Sequence, residues 1–196
     1  PMRAFLISIL FAFVSVATVQ AQSTISKITK DDFFLGNKNA PVKVVVYSSL
    51  TCEQCKRMHE VHLTSLNQYI RSGKVVYVFR DFPLDGRAYR AALLARCSRS
   101  NDEFFETIDA LFSKQNRLKK ADVDSEYGVA RMLRDITGVS FEAVNECLGD
   151  EKNQERVIDV YNQAIDFGVD GATQVFVNGK KLEDYREVKS AVDAEL

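Results

Sequence analysis

The chain lacks an excess of basic residues, because 26 Lys and Arg side chains face 27 Asp and Glu side chains in 196 residues. The net charge of −1 argues against a nucleic-acid-binding protein, which normally carries a basic excess. Cysteine is also scarce. Disulfides between four cysteines are too few to stabilise a chain of this length, so a hydrophobic core has to stabilise the fold. The composition, 46% hydrophobic and 27% charged, is that of a globular protein without repeats. The length suits one domain, or one domain carrying an insertion.

The first segment predicts a secretory signal peptide over residues 2–21. Arg3 gives a positive start, residues 4–19 are largely apolar, and Val19-Gln20-Ala21 places small residues at positions −3 and −1 of a cleavage site. An uncleaved membrane anchor is the alternative, but the apolar run is shorter than the roughly 20 residues that a spanning helix needs. No cysteine lies near the junction, which argues against a lipid anchor. We therefore expect an exported protein, in a compartment where disulfides persist.

Two apolar, β-branched segments, Val42–Tyr47 and Lys74–Phe79, predict buried strands. The segment between them, Cys52–Ser72, has apolar residues at helical spacing and is followed by Gly73. A strand, a helix and a strand in about 40 residues form a βαβ unit, which favours parallel pairing of the two strands. The sequence therefore predicts an α/β fold.

Residues 86–167 contain no convincing strand. The helical candidates in this stretch are Arg87–Arg99, Asp102–Asn116, Asp122–Ile136, Ser140–Leu148 and Glu151–Phe167. A helical stretch of roughly 80 residues is longer than an ordinary connection, so it predicts a subdomain inserted into the α/β fold. After it, Gln174–Val177 and Lys180–Leu182 flank an Asn-Gly pair and predict a hairpin, which a helix over Asp184–Ala194 follows.

The chemistry is predicted at Cys52-Glu53-Gln54-Cys55, directly after a buried strand and at the start of a helix. The first turn of a helix has free N–H groups and the positive end of the helix dipole, and both stabilise a thiolate at Cys52. Cys55 lies one turn further, close enough to form a disulfide with Cys52. We predict that Cys52 is the exposed nucleophile and Cys55 the resolving thiol. No cofactor is needed, because the electrons move between sulfur atoms.

Half of a structural zinc site is the alternative interpretation of the two cysteines. The further ligands would be His59 and His62, the only histidines in the chain. Cys52 and His62 would then lie about 15 Å apart along the helix axis. A tetrahedral site with ligand distances of about 2.0–2.3 Å cannot span that distance. We therefore predict a redox pair without a metal, and expect both histidines to pack against the helix or lie at the surface.

Cys97 and Cys147 form a second pair, 50 residues apart, each within a predicted helix of the insertion. In an exported protein the default is a structural disulfide that joins two helices. The alternative is a second redox relay, which the absence of an obvious helix start at either cysteine disfavours.

A series of further motifs accompanies the CxxC in a recognisable order. They are Gly36-Asn37-Lys38-Asn39-Ala40-Pro41-Val42, His59, Gly73-Lys74-Val75, Arg80-Asp81-Phe82-Pro83-Leu84-Asp85, Leu111-Phe112 with Gln115, Gly168-Val169-Asp170-Gly171 and Phe176-Val177-Asn178-Gly179-Lys180. With these motifs, nearly the whole chain after the predicted signal peptide resembles the DsbA family of thioredoxin-fold disulfide oxidoreductases, of the exported alphaproteobacterial type.

The resemblance implies a thioredoxin fold in two parts, 22–85 and 168–196, with an all-helical insertion over 86–167. It implies dithiol-disulfide exchange at Cys52 and Cys55, and a disulfide between Cys97 and Cys147 in the helical insertion. Expected partners are unfolded or cysteine-containing exported proteins and, for an oxidase, a DsbB-type membrane partner that reoxidises the pair. We expect a periplasmic monomer that acts as an oxidase, with a disulfide reductase or isomerase as the alternative.

Two positions depart from the family pattern. Glu53 and Gln54 stand where relatives often have a histidine, and an anion beside Cys52 predicts a higher thiol pKa and a less oxidising pair than in strong oxidases. Thr173, after Ala172, stands where the family has a cis-proline that helps to bind the substrate chain. Because a cis bond before a residue other than proline is costly, the sequence leaves the geometry of this bond open. Thr173 therefore suggests slower release of mixed disulfides, or a low-turnover module that binds a substrate or a metal.

Overall fold

The fold is known from a computed structural model that describes residues 25–125 and 127–196. The predicted signal peptide over residues 2–21 lies outside the described residues. Among the residues that are described, no helix is both long and apolar enough to cross a membrane.

A five-stranded mixed sheet forms the centre of the molecule, in the order β1-β3-β2-β4-β5. The strands are β1 (Phe33–Gly36), β2 (Val42–Ser48), β3 (Val75–Asp81), β4 (Gln174–Val177) and β5 (Lys180–Lys181). β2 and β3 run parallel, as the βαβ pattern predicts, and β4 pairs antiparallel with β2 and with β5. The central strand β2 is almost fully buried, in keeping with its continuous apolar sequence.

The helices are α1 (Glu53–Arg57), a π-helical turn (Met58–His62), α2 (Leu63–Arg71), α3 (Gly86–Arg96), α4 (Asn101–Ser113), α5 (Gln115–Leu118), α6 (Gly128–Thr137), α7 (Phe141–Gly149), α8 (Glu151–Asp166), a 3-10 turn (Tyr185–Glu187) and α9 (Val188–Glu195). Six of them, α3 to α8, lie between β3 and β4. The fold is therefore a thioredoxin-like sheet with an inserted all-helical subdomain.

The observed elements differ from the sequence-based expectations in several places. The helix predicted over Cys52–Ser72 contains a π-helical turn at Met58–His62, and the helix predicted over Asp102–Asn116 ends at Ser113. The short edge strand β1 has no counterpart among the predicted strands; it pairs antiparallel with β3. The helix predicted from Asp122 begins only at Gly128. The reason is local: the Asp122 carboxylate accepts the backbone N–H groups of Asp124 and Ser125, and this turn competes with helix formation.

Alternate residues of the sheet contribute to two separate cores. Val44 and Val46 of β2 lie in the larger core, which includes side chains of α2 and of the helical subdomain. Val45 and Tyr47 lie in a smaller core on the other face, together with Ala164 of α8. Because both faces are covered, the sheet is rigid, and it fixes the loop that follows β2.

Candidate active site

Cys52 lies directly before α1 and caps its N-terminus. Its backbone is extended, with φ −87° and ψ 124°, so the side chain turns back over the first helical turn. The Cys52 Sγ accepts the backbone N–H of Cys55 at 3.3 Å. A thiolate at this position therefore takes the place of the oxygen that usually caps a helix.

The pKa of the Cys52 thiol is lowered to about 6. The main cause is a hydrogen bond from the Cys55 side chain, and the backbone N–H groups of Cys55 and Gln54 and the positive charge of Lys119 act in the same direction. Partial burial opposes them. The value lies between the pKa of about 3.5 in DsbA and about 7 in thioredoxin. At neutral pH Cys52 is mainly a thiolate.

Cys55 is the buried partner, with 1% of its surface exposed. Burial raises the pKa of its thiol, and so does the neighbouring Cys52. The backbone N–H of Ser49 donates to the Cys55 Sγ at 3.3 Å. The structure contains both cysteines in the free form. A partly exposed thiolate thus lies beside a protonated, buried thiol, which suits Cys52 to attack and Cys55 to resolve.

Glu53 and Gln54, the two residues between the cysteines, have different surroundings. Glu53 is paired: its Oε1 lies 2.9 Å from the Nζ of Lys119, and this contact lowers the pKa of the Glu53 carboxyl. The negative charge that the sequence places beside Cys52 therefore has a positive partner from the helical subdomain. Gln54 lines a groove beside the motif.

The loop before β4 lies against the CxxC. The Cys52 Sγ lies 3.6 Å from the carbonyl oxygen of Ala172, which accepts a hydrogen bond from the thiol when Cys52 is protonated. The Ala172–Thr173 peptide bond is cis, which answers the question that the sequence leaves open. The hydroxyl of Thr173 donates to the carbonyl oxygen of Tyr47 at 3.5 Å. The structure thus brings Ala172, the residue before Thr173, to Cys52, and a role of both residues in substrate binding stays a prediction.

Beside this loop lies an open groove of about 770 Å³. It is lined by Gln54, Arg57, Val61, His62, Thr173, Gln174, Lys181, Leu182, Glu183, Asp184, Tyr185 and Arg186. Most of these side chains are polar or charged. The groove reaches the CxxC at Gln54, and its volume lies within the range of ligand-binding pockets.

Two side chains hold the active-site loop, one from the helical subdomain and one directly before it, and sequence reasoning assigned neither of them to the site. The buried amide of Gln115 donates to the carbonyl oxygens of Leu50 at 3.0 Å and Cys52 at 2.9 Å. Asp85 accepts the hydroxyl of Thr51 at 2.8 Å. Both residues occur within the family motifs, but their partners are far away in the sequence. That occurrence is the only signal that could have pointed to them.

The two histidines lie apart from the CxxC sulfurs. His59 is buried, and its Nε2 lies 2.5 Å from an Asp109 carboxylate oxygen. His62 contacts the ring of Tyr185 edge-on. Within the described residues no group of three or more potential ligands could hold a metal ion.

Cys97 and Cys147 form a disulfide, with their Cα atoms 5.9 Å apart. The bond joins the end of α3 to α7. The amide of Asn153, from α8, donates to the Cys97 Sγ at 3.3 Å. The bond thus lies among three helices of the subdomain, and its structural role stays a prediction.

Alkylation of Cys52 in the reduced protein is expected to follow the thiolate, with a midpoint near pH 6. An unperturbed cysteine would give a midpoint near 8.5. Because the pKa is lower in the folded state, thiolate formation stabilises the reduced fold above about pH 8.5, and this contribution is lost as the pH falls through about 6. Iodoacetamide labelling followed by mass spectrometry measures the profile. A midpoint above about pH 8 would show that the first turn of α1 does not stabilise the thiolate.

Comparisons with known proteins agree with this geometry. The family model described as thioredoxin matches residues 28–194. A putative protein-disulfide oxidoreductase of Rickettsia bellii is 34% identical over 176 residues, which cover 85% of this chain and 65% of that protein. A probable disulfide bond formation protein D of Bacillus cereus is 28% identical over 167 residues, covering 83% and 77%. The chain thus spans slightly less than two thirds of the Rickettsia relative.

The crystal structure of alpha-DsbA1 from Wolbachia pipientis has the same fold. It superposes with a TM-score of 0.75 at 24% identity, over 88% of this chain and 94% of that chain. The family match therefore extends over the sheet, the CxxC and the helical insertion alike. The chain belongs to the thioredoxin family.

Proposed function

We propose that the chain is an exported thiol-disulfide oxidoreductase that oxidises cysteine pairs of other proteins. The observation that carries the proposal is the pairing of an accessible, low-pKa Cys52 with the buried Cys55 at a helix N-terminus. The names of the relatives from Rickettsia bellii and Bacillus cereus support the same chemistry.

The reaction begins with the Cys52–Cys55 disulfide and a substrate dithiol. A substrate thiolate attacks the Cys52 Sγ; the disulfide breaks, its electron pair goes to the Cys55 Sγ, and Cys55 takes up a proton. The second substrate thiolate then attacks the substrate sulfur of the mixed disulfide and releases Cys52 as a thiolate. The substrate has lost two electrons and the enzyme has gained them. One substrate proton remains on Cys55 and the other goes to solvent.

The direction follows from the stability of the reduced pair. A low-pKa Cys52 is a good leaving group, and its stabilised thiolate favours the reduced enzyme, which makes the disulfide an oxidant. The loop at Ala172 and the neighbouring groove suit a substrate chain that lies across the sulfurs. Substrates would be unfolded or cysteine-containing proteins of the periplasm. A DsbB-type membrane protein would reoxidise the pair, and the enzyme would act as a monomer.

The proposal is tested with the oxidised protein and a reduced, unfolded protein that contains one cysteine pair. We expect the substrate to gain a disulfide, with the loss of one enzyme disulfide for each one formed. Cys52→Ser is expected to abolish the transfer. Retention of both substrate thiols after incubation with the oxidised wild-type protein would contradict the proposal.

Thr173→Pro is expected to quicken the release of mixed disulfides. Proline lacks both the N–H and the hydroxyl of threonine, and the loss of one such donor toward the bound substrate is worth about 1 kcal/mol, about fivefold in rate. Quenched-flow trapping of the mixed disulfide measures the release rate. Thr173→Val serves as the control, because valine removes the hydroxyl and keeps the N–H. Equal release rates in all three proteins would show that Thr173 does not slow turnover.

A further inference from the structure

The segment around α5 brings the helical subdomain to the active site. Gln115 anchors its first turn through the two hydrogen bonds to Leu50 and Cys52. Lys119 lies one helical turn further, and its backbone N–H donates to the carbonyl oxygen of Gln115 at 2.9 Å. These hydrogen bonds therefore fix the position of the Lys119 backbone relative to the CxxC.

From this position Lys119 reaches the residue that follows Cys52. Its Nζ lies 2.9 Å from the Glu53 Oε1, across a sequence separation of 66 residues. The Lys119 side chain is 32% exposed and that of Glu53 is 60% exposed. An exposed pair of this kind adds little to the stability of the fold. The pair can still change the stability of the Cys52 thiolate, because the negative charge of the thiolate interacts with both Lys119 and Glu53.

Several other groups face the Cys52 sulfur. The Cys55 thiol and the backbone N–H groups of Cys55 and Gln54 donate to it. On the active-site helix, the Lys56 side chain lies 3.5 Å from Glu60, and Arg57 is hydrogen-bonded to Tyr185. Both cations therefore have partners of their own. Lys119 forms the ion pair with Glu53, the acidic residue next to the nucleophile, while Arg57 and Lys56 lower the pKa of the Glu53 carboxyl through their charges alone.

We propose that Lys119 is a positioning residue for disulfide exchange, which holds and neutralises Glu53 so that the carboxylate does not repel the Cys52 thiolate. The inference rests on the proposed function and adds a residue to it. Without Lys119, a free carboxylate would lie beside the attacking sulfur. The helical subdomain would then set the reactivity of the CxxC through one side chain, although it contributes no sulfur to the reaction.

The test compares Lys119→Gln with Lys120→Gln, the neighbouring and exposed lysine. Lys119→Gln is expected to raise the pKa of Cys52 by about half a pH unit, which is about threefold in the thiolate equilibrium. The pKa is measured by the absorbance of the thiolate at 240 nm. A threefold change in this equilibrium lowers the reduction potential of the Cys52–Cys55 pair by about 14 mV. Lys120→Gln is expected to leave both quantities unchanged. In about 1 M salt the difference between Lys119→Gln and the wild type should shrink, because the interaction is screened.

A double-mutant cycle separates positioning of Glu53 from a direct effect of the lysine charge. In a Glu53→Gln background Lys119 has no carboxylate to hold and only the direct effect of its charge on Cys52 remains, so Lys119→Gln should shift the Cys52 pKa by less than in the wild type. Equal shifts in the two backgrounds, or no shift in either, would overturn the inference. The proposed function would fail differently, through the absence of disulfide transfer by the wild-type protein.

Discussion

Replacing Cys55 with alanine is expected to raise the pKa of Cys52 by at least about one pH unit, tenfold in the thiolate equilibrium. With a protein disulfide as substrate, the Cys52 thiolate attacks one substrate sulfur and releases the other as a thiolate, and the mixed disulfide is expected to accumulate. The hydrogen bond from the Cys55 side chain is the largest contribution to the low pKa of Cys52, and alanine removes it. Alanine also removes the sulfur of the enzyme that would attack Cys52 and release the bound substrate. Thiolate absorbance gives the pKa, and mass spectrometry of acid-quenched mixtures gives the trapped species.

Two further variants make the result specific to the sulfur at position 55. Cys55→Ser keeps a hydroxyl donor and is expected to give an intermediate pKa for Cys52, but to trap substrate in the same way. Cys52→Ser leaves only the buried Cys55 and should neither titrate near pH 6 nor form a mixed disulfide. A Cys55→Ala protein that still titrates at about 6 and turns over substrate would contradict the assigned roles.

Arg80→Met is expected to lower the free energy of unfolding by about 3–5 kcal/mol, because it leaves a buried carboxylate without its partner. Arg80 makes two hydrogen bonds of 2.9 Å to Asp32, and it also donates to the carbonyl oxygens of Ile25 and Lys27 and to the Tyr47 hydroxyl. The side chains of Arg80 and Asp32 are 7% and 3% exposed. Urea unfolding of the oxidised protein measures the change.

The matched control is Arg99→Met, since the Arg99 side chain is 91% exposed. Its ion pair with Glu103 is a surface contact, so the expected change is within about 0.5 kcal/mol. Asp32→Asn combined with Arg80→Met should recover part of the loss, because it removes the unpaired charge. Equal unfolding free energies for the Arg80→Met and Arg99→Met proteins would contradict the structural role of Arg80.

Local sequence patterns predict most of the elements that position the site. The β-branched runs of β2 and β3 and the Asn-Gly turn between β4 and β5 are local signals, and the structure contains these elements in the expected pairing. The strand β1 escapes this reasoning because its four residues are too few to show a periodicity. It becomes a strand only by pairing with β3.

The sequence predicts the position of Cys52 in the fold, but not the side chains that surround it. The sequence indicates Cys52 and Cys55 through the CxxC at a predicted helix start, but it does not show which cation pairs with Glu53; Lys56 and Arg57, one turn further on, are the cations that the sequence offers. The Lys119 partner is separated by 66 residues, so the contact depends on how the helical subdomain packs. The same holds for Gln115, whose bond to the Cys52 carbonyl oxygen spans 63 residues. No local pattern encodes such contacts.

The equilibrium of the Cys52–Cys55 pair with glutathione tests the proposed function most directly. The protein is incubated in buffers of defined thiol-to-disulfide ratio, the free thiols are alkylated, and the reduced fraction is read by mass spectrometry. With the pKa of Cys52 at about 6, we expect a single reversible transition with a midpoint above about −200 mV, on the oxidising side of the glutaredoxins and toward the −120 mV of DsbA. A midpoint near the −270 mV of thioredoxin, or the absence of a reversible transition, would contradict an oxidase.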